Sequence, residues 1–132
     1  MSKDAEVMTL YSFSMTFLTF LLGEIEQMMY VLFALMVIEF LSFTISKAIS
    51  GQASIRAIGI QLLKKALILI MVAVANLLDK VIPIGISIRD FTVIFYIFYE
   101  LLYIITNVSS SGLPVPQIVR DALDLLKSKV KK

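Results

Sequence analysis

A few polar residues stand out because their neighbours are apolar. Glu39 interrupts the run Met28–Ser46, Glu100 interrupts Phe91–Val108, and Asn76 with Asp79 lies at the end of Ala66–Leu78. A carboxylate or amide in such a setting pairs with another buried group, carries a proton, or lines water. On helical spacing Glu100 shares a stripe with Thr92, Tyr96, Tyr103 and Asn107, with Tyr99 beside it. That stripe is unsuited to lipid and should meet other helices, other subunits or water. Two roles fit it. In one, Glu100 is protonated or hydrogen-bonded to tyrosines and holds a bundle together. In the other, the stripe lines an aqueous path once subunits assemble. Glu39 has the same two options. Lys47 is two helical turns away from it, beyond the reach of an intrahelical pair, so any partner must come from another helix. Asp79 beside Lys80 also fits a plain interfacial helix end.

Missing residue types narrow the chemistry further. The chain has no Cys and no His. Disulfides and thiolate metal sites are excluded, as are Ser-His-Asp catalysis and zinc hydrolysis. Nothing pairs a nucleophile with a base, and no loop is built for phosphate. The expectation is a protein that is not an enzyme, with no cofactor and no metal. A formal net charge of +2 gives no reason to expect a nucleic-acid partner.

These residues must be held by elements suited to lipid. The 132 residues are 59% hydrophobic and only 17% charged, with a mean hydropathy of +0.93, whereas ordinary soluble domains are nearer half apolar and a quarter charged. A single small domain leaves much of its surface exposed, so lipid or further copies of the chain must cover the excess. A helix rises ~1.5 Å per residue and the hydrocarbon core is ~30 Å thick, so a span needs about 20 residues. Residues 28–46 and 91–108 approach that length. The third run reaches it as 64–84, with Lys64 and Lys65 snorkelling at one interface and Asp79–Pro83 near the other.

The run 7–23 is shorter and rich in hydroxyls. Thr9, Ser12, Thr16 and Thr19 form a stripe of small, weakly polar residues, with Gly23 next in line. Such a stripe serves as a helix-packing face or lines a pore or an interface. The segment either crosses the membrane as a fourth span or lies at its surface. Asp4 and Glu6 beside Lys3, with no small-residue cleavage site following, argue against a secretory signal. The fold expected is therefore all-α, an integral membrane bundle of three or four spans within residues 1–108.

Basic residues set the orientation. Lys47, Arg56, Lys64 and Lys65 fall in the connection 47–65, which has no acid, and Arg120, Lys127, Lys129, Lys131 and Lys132 fall in the tail. By the positive-inside rule both segments are cytoplasmic, and the two spans between them require them to share a side. Residues 109–132 form a tail in which Gly112, Pro114 and Pro116 make a turn. A helix then resumes at Gln117, with Val119, Leu123, Leu126 and Val130 on one apolar face and charges on much of the rest. This basic amphipathic helix suits anionic lipid, a neighbouring copy, or simple anchorage.

The order of these features resembles the phage-lysis and toxin-secretion holins of Gram-positive bacteria and their phages. The resemblance runs from about Val7 to the C-terminus. It is carried by F-Y-I-F-Y-E-L-L-Y-I-I-T-N from Phe95 to Asn107, G-L-P-V-P from Gly112 to Pro116, and the charged helix that follows. Ser54, Lys64-Lys65 and N-L-L-D from Asn76 to Asp79 match too, and Met36-Val-Ile-Glu-Phe40 is similar to the family's Asp-Tyr-x-Thr-Gly helix. The chain departs from the usual pattern at Glu39 (Asp), Phe40 (Tyr), Ser42 (Thr), Phe43 (Gly), Tyr103 (Ser) and Thr106 (Glu), and its 54–65 segment has fewer glycines.

The resemblance implies a multi-pass protein of the bacterial cytoplasmic membrane. It would accumulate harmlessly, oligomerise with its own kind, and open lesions at a set time, letting an endolysin or toxin through. The faces expected to change environment are Thr9, Ser12, Thr16 and Thr19 on one helix and Tyr96, Glu100, Tyr103 and Asn107 on another. Glu39, Asn76 and Asp79 are the other candidates. Two rivals carry different expectations. A small proton- or cation-coupled transporter would use Glu39 and Glu100, but the chain has no internal repeat and no Trp. An antiholin or membrane scaffold would share the composition and form no lesion.

Overall fold

Among the described residues the elements are α1 (Ser2–Leu22), α2 (Gln27–Ser50), α3 (Ile55–Val81), α4 (Ile88–Ser110) and α5 (Gln117–Lys131), and several of their boundaries have a local cause. Ser54 caps α3, its hydroxyl accepting the Ala57 N–H at 3.0 Å, and Ser87 caps α4 through the Asp90 N–H at 3.1 Å. α2 ends in a Schellman turn in which Gly51, at φ 76°, donates to Ala48 and Gln52 donates to Lys47. α3 stops just short of Pro83, and α5 starts just after Pro116. The computed structural model describes the backbone of residues 2–131 and the side chains of residues 2–125 and 128. The side chains of Lys127, Lys129, Lys131 and Lys132, expected to fix the topology, lie outside the described residues, as do those of Leu126 and Val130.

All four of α1–α4 are long and apolar enough to cross a membrane. The N-terminal segment is thus a full-length candidate span, extended by its charged first turn to 21 residues. The segment 47–65 is not the long connection expected from its charges. α2 runs on to Ser50 and α3 begins at Ile55, leaving Gly51–Ser54 as the turn. The Ser54 cap and the Schellman turn satisfy both helix ends, and Arg56 and Lys64 remain exposed on the helix surface.

α4 is the central helix. It packs along α2 and α3 and carries α5 folded back on it, while α2 and α3 meet each other only lightly. The core between them is Met29, Leu32 and Met36 from α2, Ile68 and Val72 from α3, and Val93 from α4, closed at one end by Leu22. Most other large apolar side chains face outward, among them Val37, Leu41, Leu63, Leu67, Phe91 and Phe95. An apolar exterior around a thin core is what a lipid-embedded bundle needs, since lipid tails replace the core a soluble protein would build. α1 runs beside α3 and meets α4 only at its last residue, where Arg89 bonds the Leu22 carbonyl; its residues 2–20 are all exposed.

Candidate functional site: a buried charge cluster

α3 presents Gln61, Lys65, Ile68, Val72 and Asn76 to its neighbours at helical spacing, and the lower part of that stripe is polar. Lys65 lies between Glu39 of α2 and Glu100 of α4, and both carboxylates are fully buried. Its ammonium donates to Glu39 Oε1 and to both Glu100 oxygens at 2.8 and 2.6 Å. Gln61, one turn earlier on α3, donates to Glu39 Oε1 at 2.5 Å. Asn107, two turns beyond Glu100 on α4, donates to Glu39 Oε2 at 2.8 Å and to the Ser42 hydroxyl at 2.9 Å. Ser42 in turn donates to the Glu39 carbonyl at 2.9 Å. Every buried side-chain nitrogen and oxygen among the described residues has a partner.

The cluster sits deep. Glu39, Lys65 and Glu100 are ten or eleven residues from the ends of their helices at Ser50, Ile55 and Ser110, about 15 Å along each axis. A single charge at this depth costs about 2.5–3.5 kcal/mol on insertion scales. Here an ammonium faces two carboxylates and amides take the remaining oxygens, so no charge stands alone. The same groups join three helices, two of which otherwise hardly touch.

The placement of Lys65 corrects its expected role at the interface. Because α3 starts at Ile55, Lys65 is already three turns inside the helix and turned toward the core, while Lys64 remains exposed. Glu100, for which the sequence left protonation, the tyrosines or water open, takes Lys65 as its partner. Tyr96, Tyr99 and Tyr103 form a ring row beside it, with centroids 5.9 and 4.7 Å apart. Tyr103 lies at the exposed end of the row. Lys47 also stays out of the cluster, its ammonium 5.5 Å from the Phe43 ring.

Asn76 and Asp79 do not join Glu39 and Glu100. They sit at the opposite end of α3, about 16 Å beyond Lys65 for Asn76. Asn76 donates to the Phe20 and Leu21 carbonyls, at 2.9 Å each. Asp79 accepts the Ile88 and Arg89 N–H groups at 2.8 and 2.9 Å and so caps α4 from another helix. Thr9, Ser12, Thr16 and Thr19 line an exposed face of α1, where the Thr16 and Thr19 hydroxyls bond back to Ser12 and Met15 carbonyls at 2.8 Å. Gly112 adopts φ 89° in the turn before Pro114 and Pro116.

Sequence reasoning missed Lys65 as a cluster member, Gln61, and Arg89 at the far end. The available signal for the first two was the Ser54 cap, which fixes where α3 starts and hence which face Lys65 occupies.

A family model described as the bacteriophage holin family matches residues 16–128. Among individual proteins, the chain is 33% identical over all 132 residues to the uncharacterised protein YtkC of Bacillus subtilis, covering 98% of that protein. An uncharacterised protein of Halalkalibacterium halodurans is 32% identical over 114 residues, 83% of this chain and 84% of its own length. One from Clostridium perfringens is 30% identical over 119 residues, 86% and 85% of the two chains. No solved structure matches the chain.

Proposed function

The chain belongs to the bacteriophage holin family, and from that membership we propose that it oligomerises in the bacterial cytoplasmic membrane and opens lesions that let an endolysin or toxin through. The observation that carries the reading is the Glu39–Lys65–Glu100 cluster, buried well inside the helices of a bundle whose exterior is mostly apolar. In the single bundle these groups satisfy each other, and the chain can accumulate without admitting water. In a ring of copies the same groups, with Asn107 and Tyr103, face an aqueous path and take water as their partner. The two arrangements need differ by only a few kcal/mol for a sharp switch, because packed helices have discrete alternative contacts.

The basic side chains Lys47 and Arg56 belong to the end of the bundle from which α5 emerges, whereas Glu24, Glu26 and Asp90 belong to the other. That distribution supports a cytoplasmic C-terminus. Induced expression in a bacterium, following membrane potential and release of a folded cytoplasmic reporter, tests the function. Abrupt depolarisation with reporter release, given an endolysin to open the wall, is expected. Depolarisation without release means small pores. A membrane that stays polarised after heavy accumulation overturns the lesion reading and turns attention to an antiholin.

A carboxylate pair around an ammonium is also what proton coupling in a small transporter would use, and the cluster's geometry favours that as the second reading. Saturable, pH-dependent uptake of a defined solute into vesicles holding the protein would select it.

A further inference from the structure

α1 is attached to the rest of the molecule in an unusual way. Its residues 2–20 are exposed and only Leu22, at its last turn, enters the core. The last carbonyls of a helix have no intrahelical donor and carry the negative end of its dipole. In α1 those carbonyls are taken by side chains of other helices. Asn76 bonds Phe20 and Leu21. Lys80 reaches the Phe20 carbonyl at 3.3 Å, with its ammonium 4.0 Å from the Phe20 ring. Arg89 Nε bonds the Leu22 carbonyl at 2.9 Å, and Nη2 bonds that of Glu24 at 2.5 Å.

Arg89 is itself buried and is fixed from behind by Glu26 at 2.8 Å and Asp90 at 3.1 Å. The chain leaves this grip through Gly23, at φ +83°. A Cβ there would lie 2.9 Å from Asn76 Oδ1 and 3.1 Å from Arg89 Nε. Glycine is thus required twice, for its backbone conformation and for the closeness of the two clamping side chains.

We propose that α1 is a hinged arm, latched to the α2–α4 bundle by Asn76 and Arg89 through the carbonyls that end it. The other three helices have their own apolar core and their own charge cluster at the far end. Releasing the latch therefore frees α1 to pivot about Gly23 while α2, α3 and α4 stay packed. This inference does not depend on the lesion reading, since it concerns only how α1 is held.

The chain has no cysteine, so paired nitroxide labels can be placed without background. In the full-length protein in lipid nanodiscs, labels at Phe13→Cys on α1 and Leu67→Cys on α3 report the arm. Labels at Val37→Cys on α2 and Phe95→Cys on α4 report the bundle. All four positions are exposed. In the wild-type background both pairs should give a single narrow distance distribution. With Asn76→Ala and Arg89→Gln together, the arm pair should lose its narrow distribution while the bundle pair keeps its own. Gly23→Ala should broaden the arm pair in the same way with Asn76 and Arg89 intact. An arm distribution unchanged in both variants overturns the proposal. So does a bundle pair that broadens along with the arm, because the clamp would then hold the whole fold and not α1.

Discussion

Lys65 and Glu100 meet in a forked contact, the ammonium of one donating to both carboxylate oxygens of the other at 2.8 and 2.6 Å. Glu39 completes the arrangement from α2. Removing the cation leaves two buried carboxylates facing each other, and breaking a buried pair from one side costs about 3–5 kcal/mol. Lys65→Met is expected to lower the detergent-solubilised protein's thermal midpoint sharply and to reduce its level in the membrane. The triple variant Glu39→Gln, Lys65→Met, Glu100→Gln should recover much of that loss, because no charge is then left unpaired. Circular dichroism melts of the single and triple variants check both outcomes. A triple variant no more stable than Lys65→Met would show that the cost is one of shape and not of charge.

Asn107 is the second support of Glu39. Its amide donates to Glu39 Oε2 and to the Ser42 hydroxyl, so Asn107→Leu strands an acceptor in the bundle interior. The expected loss is about 1–3 kcal/mol, the usual cost of leaving a buried polar group unsatisfied. Asn107→Asp should be worse than Asn107→Leu, since it sets a further carboxylate against Glu39 with no cation to spare. The same melts rank the two variants, and equal stability would remove Asn107 from the cluster's energetics.

How far these groups could be read from the sequence depended on contrast. Glu39, Glu100 and Asn107 were visible because each is polar within an apolar run, and their joint burial follows from the cost of exposing them to lipid. Lys65 has the same chemistry but sits beside Lys64 at the edge of an apolar run, where a basic pair reads as an interfacial flank. Only the start of α3 at the Ser54 cap distinguishes the two lysines, and three turns of helix then turn Lys65 inward while Lys64 faces out. Arg89 left still less trace. Two of its four side-chain partners are the backbone carbonyls of Leu22 and Glu24, and every residue has a carbonyl, so no pattern of side chains announces them. A helical segment over residues 7–23 was legible, but its attachment was not, for the same reason.

The turn between α2 and α3 should be sensitive to backbone geometry alone. Gly51 has φ 76° and its N–H closes the Schellman turn on Ala48; no atom lies within 4 Å of where a Cβ would be. Any cost of Gly51→Ala is therefore conformational, expected near 1 kcal/mol. Ser54→Ala, which removes the α3 cap, should cost about 0.5–2 kcal/mol. Neither change touches the charge cluster, so their effects should add within experimental error to that of Asn107→Leu. Strong non-additivity would mean that this turn and the cluster are coupled through α2 or α3.

The function proposed above makes Glu100 a determinant of timing. Glu100→Gln keeps an acceptor for Lys65 but removes a charge, which weakens the clasp between α3 and α4 without emptying its volume. If the clasp holds the bundle closed before assembly, loosening it should bring depolarisation forward in cells that carry equal amounts of protein. Glu39→Gln should act in the same direction, because Glu39 accepts from Lys65 as well as from Gln61 and Asn107. A substitution on the lipid-facing side at similar depth, such as Val37→Leu, should leave the onset where it is. Following membrane potential in growing cells with matched membrane levels separates these cases. An onset unchanged in both Glu39→Gln and Glu100→Gln would detach the cluster from the switch and leave it a purely structural clasp.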